Sequence, residues 1–340
     1  MPLPFIDPPL INSANPWATT KQDLQILFDC PHTGAVTTRT SLIHGFEHNN
    51  SIHQFTFFNP HSHSHSAPNA DVNSTTKTQP IPSTHAASLN TLGYSPIPLA
   101  TYLNTIVEIA TTSTAPHSTT KPFIISVTGS TPAVAECYNL ITATQRKIPN
   151  PLSMEINLSC PNIPDKPPPA YSKTSMVEYL NALADAGSGD DSRTGSCRVA
   201  IGVKTPPYTY HDQFQILADA LLATRCVVDF VTATNTLGSS LVLADDGDGR
   251  PAINSASELG IGGMAGVALH PLALGNVKTI RGMLNENERL REVEVIGVGG
   301  VSDQAGFGRM RAVGAKVVGV GTALGRDGVD VFGKIVGSGI

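Results

Sequence analysis

Eight short segments rich in Val, Ile and Thr recur along this chain, and most are separated by stretches with helical spacing. That alternation limits the architecture more than any other feature. The segments span 9–13, 34–40, 123–128, 153–159, 199–204, 229–234, 293–298 and 316–320. Several are nearly continuous apolar runs, as parallel strands covered on both faces require. Helical periodicity is read over 20–29, 132–146, 174–186, 211–224, 271–288, 303–313 and 327–335. Strands alternating with helices leave two architectures, a doubly wound sheet and a (β/α)8 TIM barrel. The count of eight, and glycine-rich segments after the last two strands, predict the barrel, as a single domain over 1–340.

Bulk properties agree with a packed enzyme-sized core. The chain has 340 residues, of which 40% are hydrophobic, enough to exclude a mostly disordered protein. A formal net charge of -5 without a Lys/Arg cluster gives no footprint for nucleic acid. No apolar run approaches the roughly 20 residues that span a bilayer. The opening MPLPFIDPPLINSANPW shows neither a signal peptide nor an Arg-rich presequence. Five cysteines, Cys30, Cys137, Cys160, Cys197 and Cys226, are odd in number and lack CxxC spacing. Free thiols in a reducing compartment follow, with the cytosol as the expected location.

Residues 47–85 break the repeat. Ser, Thr, His, Asn and Pro dominate there, and HSHSHS occupies 61–66. Histidines at alternate positions can ligate one ion, but no Cys, Asp or Glu with ligand spacing accompanies them. The expectation is therefore a solvated, partly disordered insertion between the second and third barrel strands, and no metal. Residues 111–120 read as a polar connection.

In a barrel the chemistry stands where strands end. The fourth strand ends in Asn157-Leu158-Ser159-Cys160-Pro161-Asn162, where two carboxamides flank a thiol and Pro161 and Pro164 stiffen the turn. Carboxamides both donate and accept, as a planar pyrimidine or a carboxylate needs. The thiol can act as base or nucleophile once ionised; the alternative is a small buried hydrophobe. The fifth strand ends at Lys204, where a buried cation needs a partner in the barrel mouth and would stabilise an anionic reduced flavin. Thr234-Asn235-Thr236 closes the sixth. Gly297-Val298-Gly299-Gly300 and Gly319-Val320-Gly321-Thr322 close the last two, where backbone N–H groups and a helix start suit a phosphate. Asp and Glu do not cluster at these ends, against two-metal or paired-carboxylate chemistry.

MEINLSCPNIPDKPPPAYS, IGVKTPPY, GIGGMAG, VIGVGG and VGVGTAL together resemble the dihydroorotate dehydrogenases, in family order, from about residue 9 to 335. The cysteine at 160 is similar to that of the soluble subclass, whose members use fumarate as acceptor and form homodimers; the membrane-linked subclass carries serine. The resemblance implies FMN as cofactor, dihydroorotate as substrate and Cys160 as the base that takes the C5 proton while hydride leaves C6. It implies substrate contacts at Arg39, Asn90, Leu92, Gly93, Asn157, Asn162, Asn235 and Thr236. It implies FMN contacts at Ser13, Ala14, Thr40, Asn157, Lys204, Gly262, Gly263, Gly299, Gly300, Gly321 and Thr322, the last four at the phosphate.

Three departures stand out. Arg39 replaces the family's usual lysine and is bulkier and forked; it can grip a substrate carboxylate bidentately or change the substrate. Leu92 stands in place of a methionine, a volume-conserving change. The chain stops at Ile340, where relatives usually continue, so a shortened last element and reduced stability are expected. The alternatives left open are an NAD-linked form with an iron–sulfur partner, a related dihydropyrimidine oxidoreductase, and an inactive ligand-binding homologue.

Overall fold

The computed structural model describes residues 3–69, 80–116, 119–160, 162, 168–187 and 199–337. Pro161, Pro164, Cys197 and residues 70–79 of the insertion lie outside the described residues. Twelve strands are found in chain order among these residues. They are β1 (Leu10–Asn12), β2 (Val36–Thr37), β3 (Phe55–Phe58), β4 (Ala87–Asn90), β5 (Phe123–Val127) and β6 (Leu152–Asn157). Then follow β7 (Ala200–Lys204), β8 (Phe230–Ala233), β9 (Leu237–Ser240), β10 (Gly262–Gly266), β11 (Glu294–Val298) and β12 (Val317–Val320).

Eight of these form one parallel sheet in the order β1-β12-β11-β8-β7-β6-β5-β2. A parallel bridge between Ile11 and Ala35 brings its two edges together, closing the TIM barrel expected from the alternation. The seam is held by a side chain. Asn12 donates from Nδ2 to the Thr37 carbonyl at 2.6 Å and accepts from the Thr37 N–H at 2.9 Å. One carboxamide thereby replaces a rung of backbone pairing, which is why β2 is so short.

Helices cover the outside. They are α1 (Lys21–Asp29), α2 (Leu99–Thr112), α3 (Thr131–Gln145), α4 (Lys173–Gly187), α5 (His211–Ala223), α6 (His270–Glu286), α7 (Gln304–Ala312), α8 (Thr322–Asp327) and α9 (Asp330–Val336). α1 begins with a reciprocal cap, the Asp23 N–H bonding Thr20 Oγ1 and the Thr20 N–H bonding the Asp23 carboxylate. α2 corrects the sequence reading, which found no helix there. Its β-branched and Thr-rich sequence has weak helix propensity, yet Leu99, Tyr102, Leu103, Ile106 and Ile109 recur every three or four residues and are buried. Packing decides against propensity. The helix read over 327–335 is α9, Asp330–Val336, and an unread short helix, α8, precedes it, the chain turning between them at Gly328 with φ 75°. Val331, Phe332 and Ile335 of α9 are buried.

The insertion is also corrected in part. Its FTFF segment is β3, fully buried, pairing antiparallel with β4 in a second sheet ordered β3-β4-β10-β9. Phe57 stacks on Trp17 with centroids 5.5 Å apart, and Phe55 meets the same indole edge-on at 5.5 Å. Alternating hydrophobicity does not mark this strand because both its faces are covered. The HSHSHS run is in the expected polar setting: His61 and His63 are exposed, and His65 Nδ1 bonds the Ser66 carbonyl at 2.8 Å. Among the described residues no group of three or more His, Cys, Asp or Glu is placed to hold a metal. Nor is any described helix long and apolar enough to cross a membrane.

Inside the barrel, Phe230 fills the space over Gly202, where an added Cβ would lie 2.1 Å from the ring. Gly202→Ala should therefore destabilise the fold by about 1–3 kcal/mol. Phe230→Leu in the same chain should recover part of that loss, since the two positions share one space. Urea unfolding of the single and double variants measures both effects.

Candidate active site

Because the eight strands run the same way, their C-terminal ends form one rim, and the small antiparallel sheet stands over it. Between them lies a cleft enclosing about 1020 Å³ of non-protein space, its mouth included. Its lining includes Cys160, Arg39, Asn90, Leu92, Gly93, Asn157, Asn162, Asn235 and Thr236 on one side. Ser13, Ala14, Thr40, Lys204, Gly299, Gly300, Gly321 and Thr322 line it as well. No Asp or Glu is among its lining residues.

Gly262 and Gly263, expected at the cofactor, do not line the cleft; Ala265 and Gly266 of the same strand do. The reason is close approach. A Cβ on Gly262 would sit 2.2 Å from the Asn90 carbonyl oxygen, and one on Gly263 would sit 2.2 Å from Thr236 Oγ1. The Gly263 carbonyl also accepts from Asn90 Nδ2 at 3.0 Å. These two glycines let β10 press against the Asn90 backbone and the Thr236 side chain.

The carboxamides form a network. Asn162 donates from Nδ2 to Asn90 Oδ1 at 3.0 Å and to the Leu92 carbonyl at 2.9 Å. Asn235 donates to Asn157 Oδ1 at 3.2 Å and Ser159 Oγ at 3.0 Å, and its own Oδ1 accepts from the Thr236 N–H at 2.8 Å. Asn157 donates to Thr40 Oγ1 at 3.1 Å. Thr40 Oγ1 pairs with Ser126 Oγ at 2.9 Å, which in turn donates to the buried Glu155 carboxylate at 2.9 Å. Much of the cage's hydrogen-bonding capacity is thus spent internally, which fixes the side chains before any ligand arrives. Among the described residues, one N–H each on Asn90 and Asn157 keeps no partner within the protein.

Two cations face this neutral cage. Arg39 is 4% exposed; its Nη2 donates to the Gly93 carbonyl at 3.1 Å, while Nη1 is buried without a partner among the described residues. Burial pushes its guanidinium down to about 10, so it is still charged at neutral pH. Lys204 ends β7 opposite Asn157 of β6 and pairs with no carboxylate among the described residues. Burial pushes the Cys160 thiol above its usual value, while the Asn162 N–H, the Tyr94 hydroxyl and the charges of Lys204 and Arg39 pull it back. Cys30, Cys137 and Cys160 are free thiols.

Sequence reasoning passed over several lining residues. Trp17 and Phe55 form apolar wall; Ser88 pairs with Thr322 across 2.9 Å. Tyr94 touches the thiol, although it stands only two residues past Leu92 in the loop already singled out. Under the glycine rim, Arg309 Nε donates to His270 Nε2 at 3.1 Å, so the imidazole proton sits on Nδ1 and meets the Gly299 carbonyl at 2.7 Å. No spacing in the sequence links those three positions.

The model of the dihydroorotate dehydrogenase family matches residues 74–338, well over half of the chain. The chain belongs to the dihydroorotate dehydrogenase family. Relatives include the dihydroorotate dehydrogenase (fumarate) of Trypanosoma cruzi, 33% identical over 218 residues, which are 63% of this chain and 62% of that protein. The enzyme of the same name from Lachancea kluyveri is 28% identical over 218 residues, covering 64% and 62%. These matches span less than two thirds of the relatives' own length. Among solved structures, DHODH from Eimeria tenella in complex with ferulenol superposes with a TM-score of 0.68 at 16% identity, covering 96% of this chain and 79% of that one. That likeness supports the barrel.

Within this cleft, Asn162 clasps the Asn90–Leu92 loop through its amide protons. Asn162→Ala should raise amide exchange across residues 90–94 by about tenfold, the equivalent of one or two lost hydrogen bonds. Hydrogen-exchange mass spectrometry of that peptide provides the check.

Proposed function

We propose that the protein oxidises dihydroorotate to orotate with bound FMN and passes the electrons to fumarate. The carrying observation is the position of Cys160, at a strand end between Asn157 and Asn162 and within the influence of Arg39 and Lys204. In a member of this family, that is the setting of a proton-abstracting thiol. The family relatives named for fumarate support the acceptor.

The residues suit FMN. A cleft without carboxylates presents Lys204 and two glycine-bearing strand ends, so an anionic, phosphate-bearing ligand meets N–H groups and a cation. Gly299, Gly300, Gly321 and Thr322 would hold the phosphate, and Ser13, Ala14, Thr40 and Lys204 the ring system. When bound, FMN supplies the acceptor for the hydride from substrate C6.

The chain's own groups do the rest. Cys160 Sγ, as thiolate, takes the proton at C5. Arg39 Nη1 receives the substrate carboxylate; its charge is worth most in this water-poor cleft. The spare N–H groups of Asn90 and Asn157 and the acceptor oxygen of Asn162 orient the ring, and Thr236 closes its edge. Gly93 anchors Arg39 through its carbonyl, and Leu92 adds apolar contact. The expected homodimer belongs to the same proposal; exposed Leu241, Leu243, Leu259 and Ile261 near the β9–β10 hairpin suit a subunit contact. A role in pyrimidine biosynthesis and a cytoplasmic location rest on the family resemblance.

FMN-loaded protein mixed anaerobically with dihydroorotate should lose its yellow colour; a flavin that stays oxidised overturns the reading. Cys160→Ala should retain FMN but slow this reduction by roughly 10²–10⁴-fold. The thiol lies above its ordinary value, and the thiolate is the active form, so the rate should climb with pH and level off only once the thiol is ionised. A flat pH profile in stopped-flow reduction argues against the thiol. Arg39→Ala should raise the dihydroorotate concentration needed for half-saturation by about 10–100-fold, with FMN content unchanged. Titration of the reduction rate against substrate checks this.

A further inference from the structure

A second, smaller cavity of about 280 Å³, its opening included, lies against the main cleft. Tyr94, Asn157 and Cys160 line both, so these three side chains form the partition between them. Thr128, Gly129, Pro168 and Tyr179 make the far walls of the smaller cavity. The half-buried thiol therefore lines two spaces, one toward a ligand and one toward this second cavity.

We propose that Tyr94 is the positioning residue through which the Cys160 thiol exchanges its proton with the second cavity. The origin of that proton rests on the function proposed above; the coupling of Tyr94 to Cys160 does not.

Tyr94, Cys160 and Thr128 share the wall of the second cavity, and the phenol hydroxyl interacts with the groups of both neighbours. Thr128 already donates its hydroxyl proton to the Asn157 carbonyl at 2.9 Å, so toward Tyr94 it can only accept. The phenol consequently has two arrangements. It donates to sulfur when Cys160 is a thiolate, and it donates away from sulfur, accepting the S–H, when Cys160 is a thiol. Phe46 meets the Tyr94 ring edge-on at 5.9 Å, which limits the ring's freedom to turn away. Tyr94 itself does not ionise in turnover, because burial and the neighbouring Cys160 hold its hydroxyl far above the usual phenol range. It passes a proton on without storing one.

The exchange balances as a proton transfer with no redox change. The proton taken from substrate C5 forms the S–H bond. That proton then moves to the phenol oxygen as the phenol's own proton leaves to a solvent molecule on the Thr128 side, restoring thiolate and phenol. The charged and titratable groups facing this pair are Arg39 and Lys204 toward the sulfur and Tyr179 toward the phenol. The two cations favour the thiolate. Tyr179 donates its own proton to the Gly129 carbonyl at 2.7 Å and so does not compete for the sulfur.

Rate profiles of iodoacetamide alkylation at Cys160 against pH, read by peptide mass spectrometry on the FMN-loaded protein, decide the matter. Tyr94→Phe keeps the ring and removes the hydroxyl. It should move the profile to higher pH and slow alkylation about tenfold on its rising part, as loss of one hydrogen bond to a charged group predicts. Superimposable profiles overturn the proposal. Should the Phe variant fail to fold, 3-fluorotyrosine at position 94 gives a stronger donor and should move the profile to lower pH; no movement overturns it equally. In turnover, Tyr94→Phe should lower steady-state turnover severalfold and move its pH profile in the same direction as the alkylation profile. Undiminished steady-state turnover also overturns it. A wild-type flavin that dihydroorotate does not reduce sinks the proposed function alone, since the alkylation profiles are read without substrate.

Discussion

Eight strands that all run one way must leave eight carboxyl ends on one rim, and the closure of that rim by Asn12 against Thr37 sets the spacing of everything above it. Had the seam between β1 and β2 stayed open, Ser13 and Ala14 would not share a wall with Thr40 and Arg39. The barrel brings residues 13, 39, 157, 204, 235, 299 and 321 to one cleft from widely separated parts of the chain. The second sheet adds Asn90 and Phe55 from above and turns an open rim into an enclosed space.

Enclosure is what gives the polar groups their strength. Arg39 and Lys204 cost free energy to bury, and among the described residues no carboxylate neutralises either of them. Their fields therefore remain directed at the cleft and at Cys160. The thiol is caught between two opposed effects, desolvation that favours S–H and hydrogen bonds and cations that favour S⁻. Desolvation is the largest of these, so the thiolate depends on each of the opposing contacts.

Rigidity comes from the amide network. Asn235 is bonded to Asn157, Asn157 to Thr40, Thr40 to Ser126, and Ser126 to Glu155, a chain running down into the barrel. Residues expected to grip a ligand are thus equally struts for one another. Such prior order lowers the entropy lost when a ligand binds. His270, held by Arg309 and donating to Gly299, does the same for the glycine rim.

The strand ends were legible in the sequence, because strongly apolar runs followed by Asn, Lys or Gly carry their own signal at short range. Cys160, Lys204, Gly299–Gly300 and Gly321–Thr322 needed no distant information. α2 and β3 were not legible, since β-branched content hides the first and burial on both faces removes the alternation of the second. Gly262 and Gly263 were found as notable, but the Asn90 carbonyl and Thr236 hydroxyl that stand against them were not, because a glycine's purpose depends on what approaches it. Tyr94 was invisible as a partner of the thiol for the same reason: 65 positions lie between it and Cys160, and only the folded chain brings them together. Periodicity and local composition, then, determined that this chain makes a barrel with a thiol and a lysine at its mouth, and the family resemblance added Arg39. Which side chains hold one another there, and which atoms remain for a ligand, was decided by tertiary contacts, because hydrogen bonding and desolvation depend on distance in space and leave no mark on spacing in sequence.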